Sequence, residues 1–514
     1  MRGRVARATR VATRVACGVV LAGGWAGAGA QGNGIPDRPE RIRFEDAPFE
    51  VPDPRPLRWE LSNGVPVFVA ADATVPLFSI SLAVPVGDRL DPPDRVGLAS
   101  LTAAMMRRGG AGDRDADAFD EAADYLGIEI DSLGGATRSG VILEGSSRVL
   151  EEALDLFADL VLQPRFEAAR VERALENLRG SLATRNDDPL AVLDREWRAL
   201  LWGRDDPRAR VVLPAHLAAI DSAALAAFHR ERWGPRGAVI AISGDVEAGK
   251  VVAALDRRLG RWEGSPAPAV TPAAPDAPEA TAAESATEPA AGIWWFAHPS
   301  PQGKLMLGHE GDQRRSWDDP DAWALTVMAE VFGGAGAVSR VRSRLRAEES
   351  LVYRVRASYG LGAQEPGTFE VFLEVEPAAA VAAVRSVIDE IERLRREPVP
   401  DVELDLAKRS LIDVFPLLFD SPESVAGRFA EDALLGRPHA YWSQYRARTT
   451  AVTATDVRRA ARRFLHPDRL RILWVGPEPA AKEWEVLGLG PPRPLPARDP
   501  ATMQPLGSGR AEGS

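Results

Sequence analysis

Two stretches of this chain follow one plan at a near-constant separation, which restricts the possible folds more than any other feature. Ser222–Asp245 runs as a capping serine, an amphipathic helix, Trp233-Gly234-Pro235, a strand over Ala238–Ser243, and Gly244. Ala454–Pro477 repeats the plan with Leu465-His466-Pro467, a strand over Leu470–Val475, and Gly476. Pro235 and Pro467 stand 232 positions apart. Earlier, the helix Arg148–Leu162 with Pro164 matches Ala380–Arg396 with Pro398, 234 positions apart. One ancestral α+β domain, duplicated in tandem, accounts for both matches. Mixed strands and amphipathic helices imply layers, with helices on one sheet face. Two such halves facing each other can enclose a cavity; the alternative is two independent domains.

The other segments fit around this duplication. Arg58–Leu61 and Val65–Ala70 flank the turn Ser62-Asn63-Gly64 as a hairpin, and Leu77–Val84 alternates as a further strand. Gly97–Arg108 is helical, with Leu98, Leu101, Met105 and Met106 on one face. Ala168–Thr184 and Leu190–Leu201 are helices separated by Asn186-Asp187-Asp188-Pro189, because proline disfavours helix in its predecessor. Residues 264–290 are almost entirely Ala, Pro, Thr, Glu and Ser, cannot bury apolar surface, and read as a linker. The expected domains are a first half at 58–263 and a second at 291–480, after an extended lead-in at 31–57 and before a disordered tail at 491–514.

Residues 1–30 read as a signal peptide. Five arginines precede an apolar stretch from Val15 to about Gly24, too short to span a bilayer, and Ala28-Gly29-Ala30 offers a cleavage site. Cleavage takes the formal charge from −11 to −16 and removes Cys17, the only cysteine. The mature chain is then without disulfides and thiolate ligands. Its acidity argues against a nucleic-acid partner. No later apolar run is long enough for a membrane span, so the expected location is the periplasm.

The chemistry on offer is narrow. Six histidines are present, at 216, 229, 298, 309, 439 and 466, and no two are three, four or five residues apart. A hydrolytic zinc site usually fixes two ligands on one helix face, so these read as structural or surface groups. A Gly-x-Ser-x-Gly nucleophile turn is absent. Arg346, near the end of a helix over about 338–349, and Tyr353, in the following strand, are the notable polar pair. Helix end and strand start can bring guanidinium and phenol to one site, and both donate hydrogen bonds to a carbonyl oxygen. The plain alternative pairs Arg346 with Glu348 or Glu349 and puts Tyr353 in the core.

At Gly97-Leu98-Ala99-Ser100-Leu101-Thr102-Ala103-Ala104-Met105 the chain resembles the pitrilysin/insulinase (M16) zinc peptidases, whose motif is Gly-Leu-Ala-His-Leu-x-Glu-His-Met. The flanks fix the register. Ser100 and Ala104 stand where the family has its histidine ligands, and Ala103 where it has its glutamate base. The third ligand, a glutamate of a later helix, falls near Ser181, with Glu176 a neighbouring alternative. A second family motif, Ser-Arg-Leu-x-x-x-x-Arg-x-x-x-Gly-Leu-x-Tyr, supplies an arginine and a tyrosine that face the zinc. Ser339–Arg354 matches it at Arg346 and Tyr353, and departs from it at Ser350, where the family has glycine. Pro301–Gly308 is similar to the family's opening of the second half.

The resemblance implies tandem halves of the mitochondrial-processing-peptidase type, forming a clamshell around a chamber for an extended peptide. It most resembles the non-catalytic subunit of the bacterial two-subunit branch. That implies no metal in this chain, zinc in a paralogous partner subunit, no activity alone, and Arg346 and Tyr353 reaching the partner's active site. The other reading is a non-enzymatic binding or assembly protein of the cell envelope with the same fold.

Overall fold

The computed structural model describes residues 49–264, 291–311, 317, 319–334, 339–360 and 367–506. The expected signal peptide, most of the lead-in and nearly all of the linker lie outside these residues.

The first half holds strands β1 (Arg58–Glu60), β2 (Pro66–Ala71), β3 (Leu77–Val84), β4 (Glu129–Leu133), β5 (Ser139–Ser146) and β6 (Val239–Gly244). Its helices are α1 (Leu98–Arg108), α2 (Ala116–Leu126), α3 (Leu150–Leu162), α4 (Ala168–Ala183), α5 (Pro189–Trp202), α6 (Pro214–Ala218), α7 (Ser222–Arg232) and α8 (Ala248–Leu259). The second half holds β7 (Gly292–Ala297), β8 (Gly303–Glu310), β9 (Val352–Tyr359), β10 (Thr368–Val375), β11 (Arg471–Gly476) and β12 (Arg493–Pro494). Its helices are α9 (Pro320–Gly333), α10 (Arg340–Arg342), α11 (Ala380–Arg396), α12 (Asp401–Val414), α13 (Pro422–Leu435), α14 (Ala440–Ala451), α15 (Ala454–Phe464) and α16 (Ala481–Trp484).

The sheet orders are β1-β2-β6-β3-β5-β4 and β12-β7-β11-β8-β10-β9. Five strands of each sheet match in sequence order, β2-β6-β3-β5-β4 with β7-β11-β8-β10-β9, which is the tandem duplication in three dimensions. β6 and β11 begin 232 positions apart, as do α7 and α15. β12 fills the place that β1 holds in the first sheet, but runs parallel to β7 where β1 runs antiparallel to β2. The segment expected as a disordered tail is therefore ordered as far as Leu506: Leu495 N–H donates to Trp295 O at 2.7 Å, and Arg498 bridges to Pro505. Residues 507–514 lie outside the described residues.

Burial patterns explain the strand sequences. β3 and β10 alternate buried and half-buried positions, as strands with one face toward the helices do. β6 and β11 read as continuous apolar runs, because both of their faces are covered. The second cover comes from the opposite half. α5 of the first half lies on β11 and β8, and α13 of the second lies on β6 and β2. Val192, Leu193, Trp197 and Leu201 bury against Trp294, Phe296, Leu473 and Val475. Trp197 Nε1 donates to Glu370 Oε1 at 2.9 Å. In the reciprocal contact Phe429 lies 6.4 Å from the Phe68 ring. Both exchanged helices begin with proline, at Pro189 and Pro422, capped by Asp188 and Ser421.

One local expectation changes. α7 is capped by Asp221, whose carboxylate accepts the Ala224 N–H at 2.8 Å. Ser222, the expected cap, turns its hydroxyl to Phe166 O instead. Adjacent Asp and Ser compete for one cap, and sequence alone does not decide between them.

Candidate functional site

α1 carries the Ser100, Ala103 and Ala104 positions. It starts at Gly97 with φ 99°, a conformation glycine adopts without strain. Two aspartates of the preceding loop hold its N-terminus. Asp91 accepts the Gly97 and Ala99 N–H groups at 2.7 and 2.8 Å. Asp88 Oδ1 accepts the Ser100 N–H at 3.1 Å and its hydroxyl at 2.6 Å. Burial pushes the Asp91 carboxyl up to about 7, against the two N–H bonds that pull it down.

The space over Ser100 and Ala103 is filled. Gly134, after β4, packs so closely that a Cβ there would stand 2.9 Å from Ser100 Cα and 3.2 Å from Ala103 Cβ. The same loop is tied across to residues 88 and 89: Asp88 N–H donates to Gly135 O at 3.0 Å and Arg89 N–H to Ala136 O at 3.1 Å. Ala103 is fully buried, and its carbonyl accepts the Ser132 hydroxyl at 2.5 Å. These residues do not fit a zinc ion. Methyl groups offer no lone pair, and the one hydroxyl is engaged with Asp88. Among the described residues no three His, Cys, Asp or Glu side chains are grouped so as to hold a metal.

Ser181 and Glu176 both lie on α4, and both are exposed. Ala174 and Asn177 of α4 share a groove with Arg107 and Arg108 of α1. The buried face of α4 is formed by Val171, Leu175 and Leu182, and neither Ser181 nor Glu176 belongs to it. The Ser181 hydroxyl bonds back to Leu178 O at 2.8 Å.

Two of the histidines are structural. His229 is buried with Nε2 at 3.0 Å from Val161 O, and burial lowers it to about 4. His309 is buried and accepts the His466 N–H at 3.1 Å.

The helix before β9 is irregular. α10 passes into a π-helical turn over Ser343–Glu348 that carries Arg346. Leu351 N–H then closes onto Leu345 O at 2.8 Å. Ser350 takes φ 53°, so a serine here adopts the left-handed conformation for which glycine is the usual choice. The departure in sequence leaves the turn in place. The surrounding arginines anchor it. Arg340 makes a two-pronged bond to Glu403 at 2.6 and 2.9 Å. Arg344 binds Glu349, Asp389 and Glu390 at 2.8, 3.2 and 3.1 Å. With Glu349 engaged by Arg344 and by Ser386, Arg346 stays exposed, with no ion pair or hydrogen bond among the described residues.

Tyr353 does not enter the core. A bulge between Glu374 and Val375 breaks the β9–β10 register, so Val352 faces Val375 and Arg354 faces Glu374. Tyr353 is the extra residue and is 80% exposed. Both plain alternatives for the pair therefore fail. Arg346 and Tyr353 flank one closed turn as exposed hydrogen-bond donors.

Comparisons with known proteins agree with this geometry. A family model described as Insulinase (Peptidase family M16) matches residues 67–201. A second, described as Peptidase M16 inactive domain, matches residues 219–411. Together they span well over half of the chain. An uncharacterized zinc protease of Mycobacterium tuberculosis is 26% identical over 412 residues, 80% of this chain and 91% of that protein. Among solved structures, a peptidase M16 inactive domain from Pseudomonas fluorescens superposes with a TM-score of 0.70 at 25% identity, covering 82% of this chain and 97% of that one. A periplasmic protease from Escherichia coli superposes at 0.66 with 16% identity, covering 82% of this chain but 45% of that one.

Proposed function

The chain belongs to the M16 (insulinase-type) peptidase family, and on that premise we propose that it is the non-catalytic subunit of a heteromeric zinc peptidase. A paralogous subunit holds the zinc and the base. This chain closes the peptide chamber and supplies Arg346 and Tyr353 to the partner's active site. As the scissile carbonyl becomes tetrahedral, negative charge develops on its oxygen. A guanidinium and a phenol held in place donate to that oxygen more strongly than to the neutral carbonyl.

The observation that carries this reading is a contrast between two matched motifs. The metal-binding positions are replaced, with Gly134 packed against Ser100 and Ala103, while Arg346 and Tyr353 are retained, exposed and without partners among the described residues. One further fact supports a second chain. The chain matches 45% of the single Escherichia coli chain, as half of a chamber would. Residues 1–30 direct export, and the periplasm is the proposed location, as for that similar protease.

Reconstitution with the zinc-bearing paralogue tests the reading. Wild type is expected to raise its peptidase rate, and the double variant Arg346→Ala, Tyr353→Phe to bind the paralogue but lose most of the gain. Equal rates for both mixtures would refute the role of the pair. Recovery of unrelated envelope proteins, and no paralogue, would favour an assembly role.

A further inference from the structure

We propose that the cleft beside α13, on the outer face of the first sheet, binds a lysine ammonium carried by a peptide. α13 lies on β6 and β2, and the cleft opens next to it over β3 and β5. It measures about 460 Å³, against the roughly 30 Å³ that one water molecule occupies. Ser243, Ser79 and Glu144 form one row across its floor, because Ser79 pairs with Ser243 on one side and with Glu144 on the other. All three face away from the core, to which their strand neighbours Ile242, Ile80 and Leu143 belong.

Two observations call for a cation there. The Glu144 carboxylate accepts one hydrogen bond among the described residues, from the Ser79 hydroxyl at 3.3 Å, and has no ion pair. Its other cross-strand neighbour, Glu129, is a second carboxylate. Arg428 is the one cation lining the cleft among the described residues, and Glu431 holds it at 2.9 Å. Independently, Ser243 is 6% exposed, and its hydroxyl has no hydrogen-bond partner among the described residues. Buried hydroxyls are rarely left unpaired, because the desolvation is uncompensated.

The second half shows what the first lacks. Ser243 corresponds to Val475 at the 232-position offset, and Val475 pairs with Lys304 as Ser243 pairs with Ser79. Lys304 in turn pairs with Glu374, as Ser79 pairs with Glu144. There the Lys304 ammonium, on a residue 8% exposed, binds the Glu374 carboxylate. In the first half the matching place holds a serine, and the carboxylate keeps no cation. A bound ammonium donates its three N–H groups to Glu144 and to the oxygens of Ser79 and Ser243. Ile142 and Leu417 line the same cleft and cover an apolar stem. A compact point charge on a four-carbon stem is the lysine side chain. That a peptide carries it rests on the proposed function; the ammonium site itself does not.

The test uses the full chain without any partner. Fluorescence anisotropy would compare a labelled peptide bearing one lysine with its Nε-acetyl-lysine counterpart, on wild type, Glu144→Gln and Ser79→Lys. The last variant builds the Lys304 arrangement into the first half. Wild type is expected to prefer the lysine peptide by at least about tenfold. Glu144→Gln should lose that preference by removing the charge, and Ser79→Lys by filling the place with an ammonium of its own. Melting curves would check that each variant is folded. Equal binding of the two peptides by wild type, or a preference that survives in either folded variant, would overturn the inference. So would n-butylamine binding more tightly than the lysine peptide, which would make this a free-amine site. A preference confirmed here alongside a failed reconstitution would sink the subunit reading and leave the ammonium site standing.

Discussion

Gly134 lies against Ser100 with no room for a side chain: a Cβ on the glycine would stand 2.9 Å from the serine Cα. The stretch of α1 that carries Ser100 and Ala103 is a packing surface.

Gly134→Ala is therefore expected to destabilise by about 1–3 kcal/mol through overpacking, measured by denaturant melts. Rebuilding the motif as Ser100→His, Ala103→Glu, Ala104→His should fare no better. Ala103 is fully buried, so the glutamate charge would be desolvated. The triple variant is expected to melt earlier and to take up no stoichiometric zinc.

Trp197→Ala should cost about 3–5 kcal/mol, because Trp197 is buried between the halves and its indole N–H is bonded to Glu370. Both halves lose a shared contact, so loss of stability across both sheets is expected in hydrogen exchange. Destabilisation of the first half alone would contradict the exchanged-helix packing.

Ser350→Gly should stabilise by about 0.5–1 kcal/mol, since glycine adopts φ 53° without the Cβ penalty. Ser350→Val should destabilise. The check is the shift in denaturation midpoint for each variant.

His229 gives a signed pH dependence. Its folded value is lowered to about 4, below the 6.5 of an exposed histidine. Between these values the unfolded chain binds a proton that the folded chain does not. Its contribution is thus present above 6.5 and lost as pH falls toward 4, up to about 3 kcal/mol. Asp91, pushed up to about 7, acts in the opposite sense over the same range, favouring the folded state at lower pH. The bare pH curve mixes the two. The difference between wild type and His229→Phe isolates the histidine and should shrink as pH drops from 6.5 to 4.

Regular elements were legible because periodicity and caps are local. The Pro235–Pro467 spacing reappears as sheet orders that match over five strands, and α11 falls on its expected residues. What escaped depends on distant partners. Nothing near Pro189 tells that α5 covers the opposite sheet, though the unbroken apolar run of β11 calls for a second cover. β12 is two residues long, and its order comes from β7. At the candidate site, sequence gave the residues of the pair but not their exposure. A π-turn and a bulge re-aim Arg346 and Tyr353, and neither follows from alternation.

The most direct test of the central claim is the zinc content of the purified single chain after equilibration with zinc and desalting, read with its peptidase activity. The expected result is far less than one zinc per chain and no chelator-sensitive cleavage. One tightly held zinc per chain, with cleavage that a chelator abolishes, would contradict it.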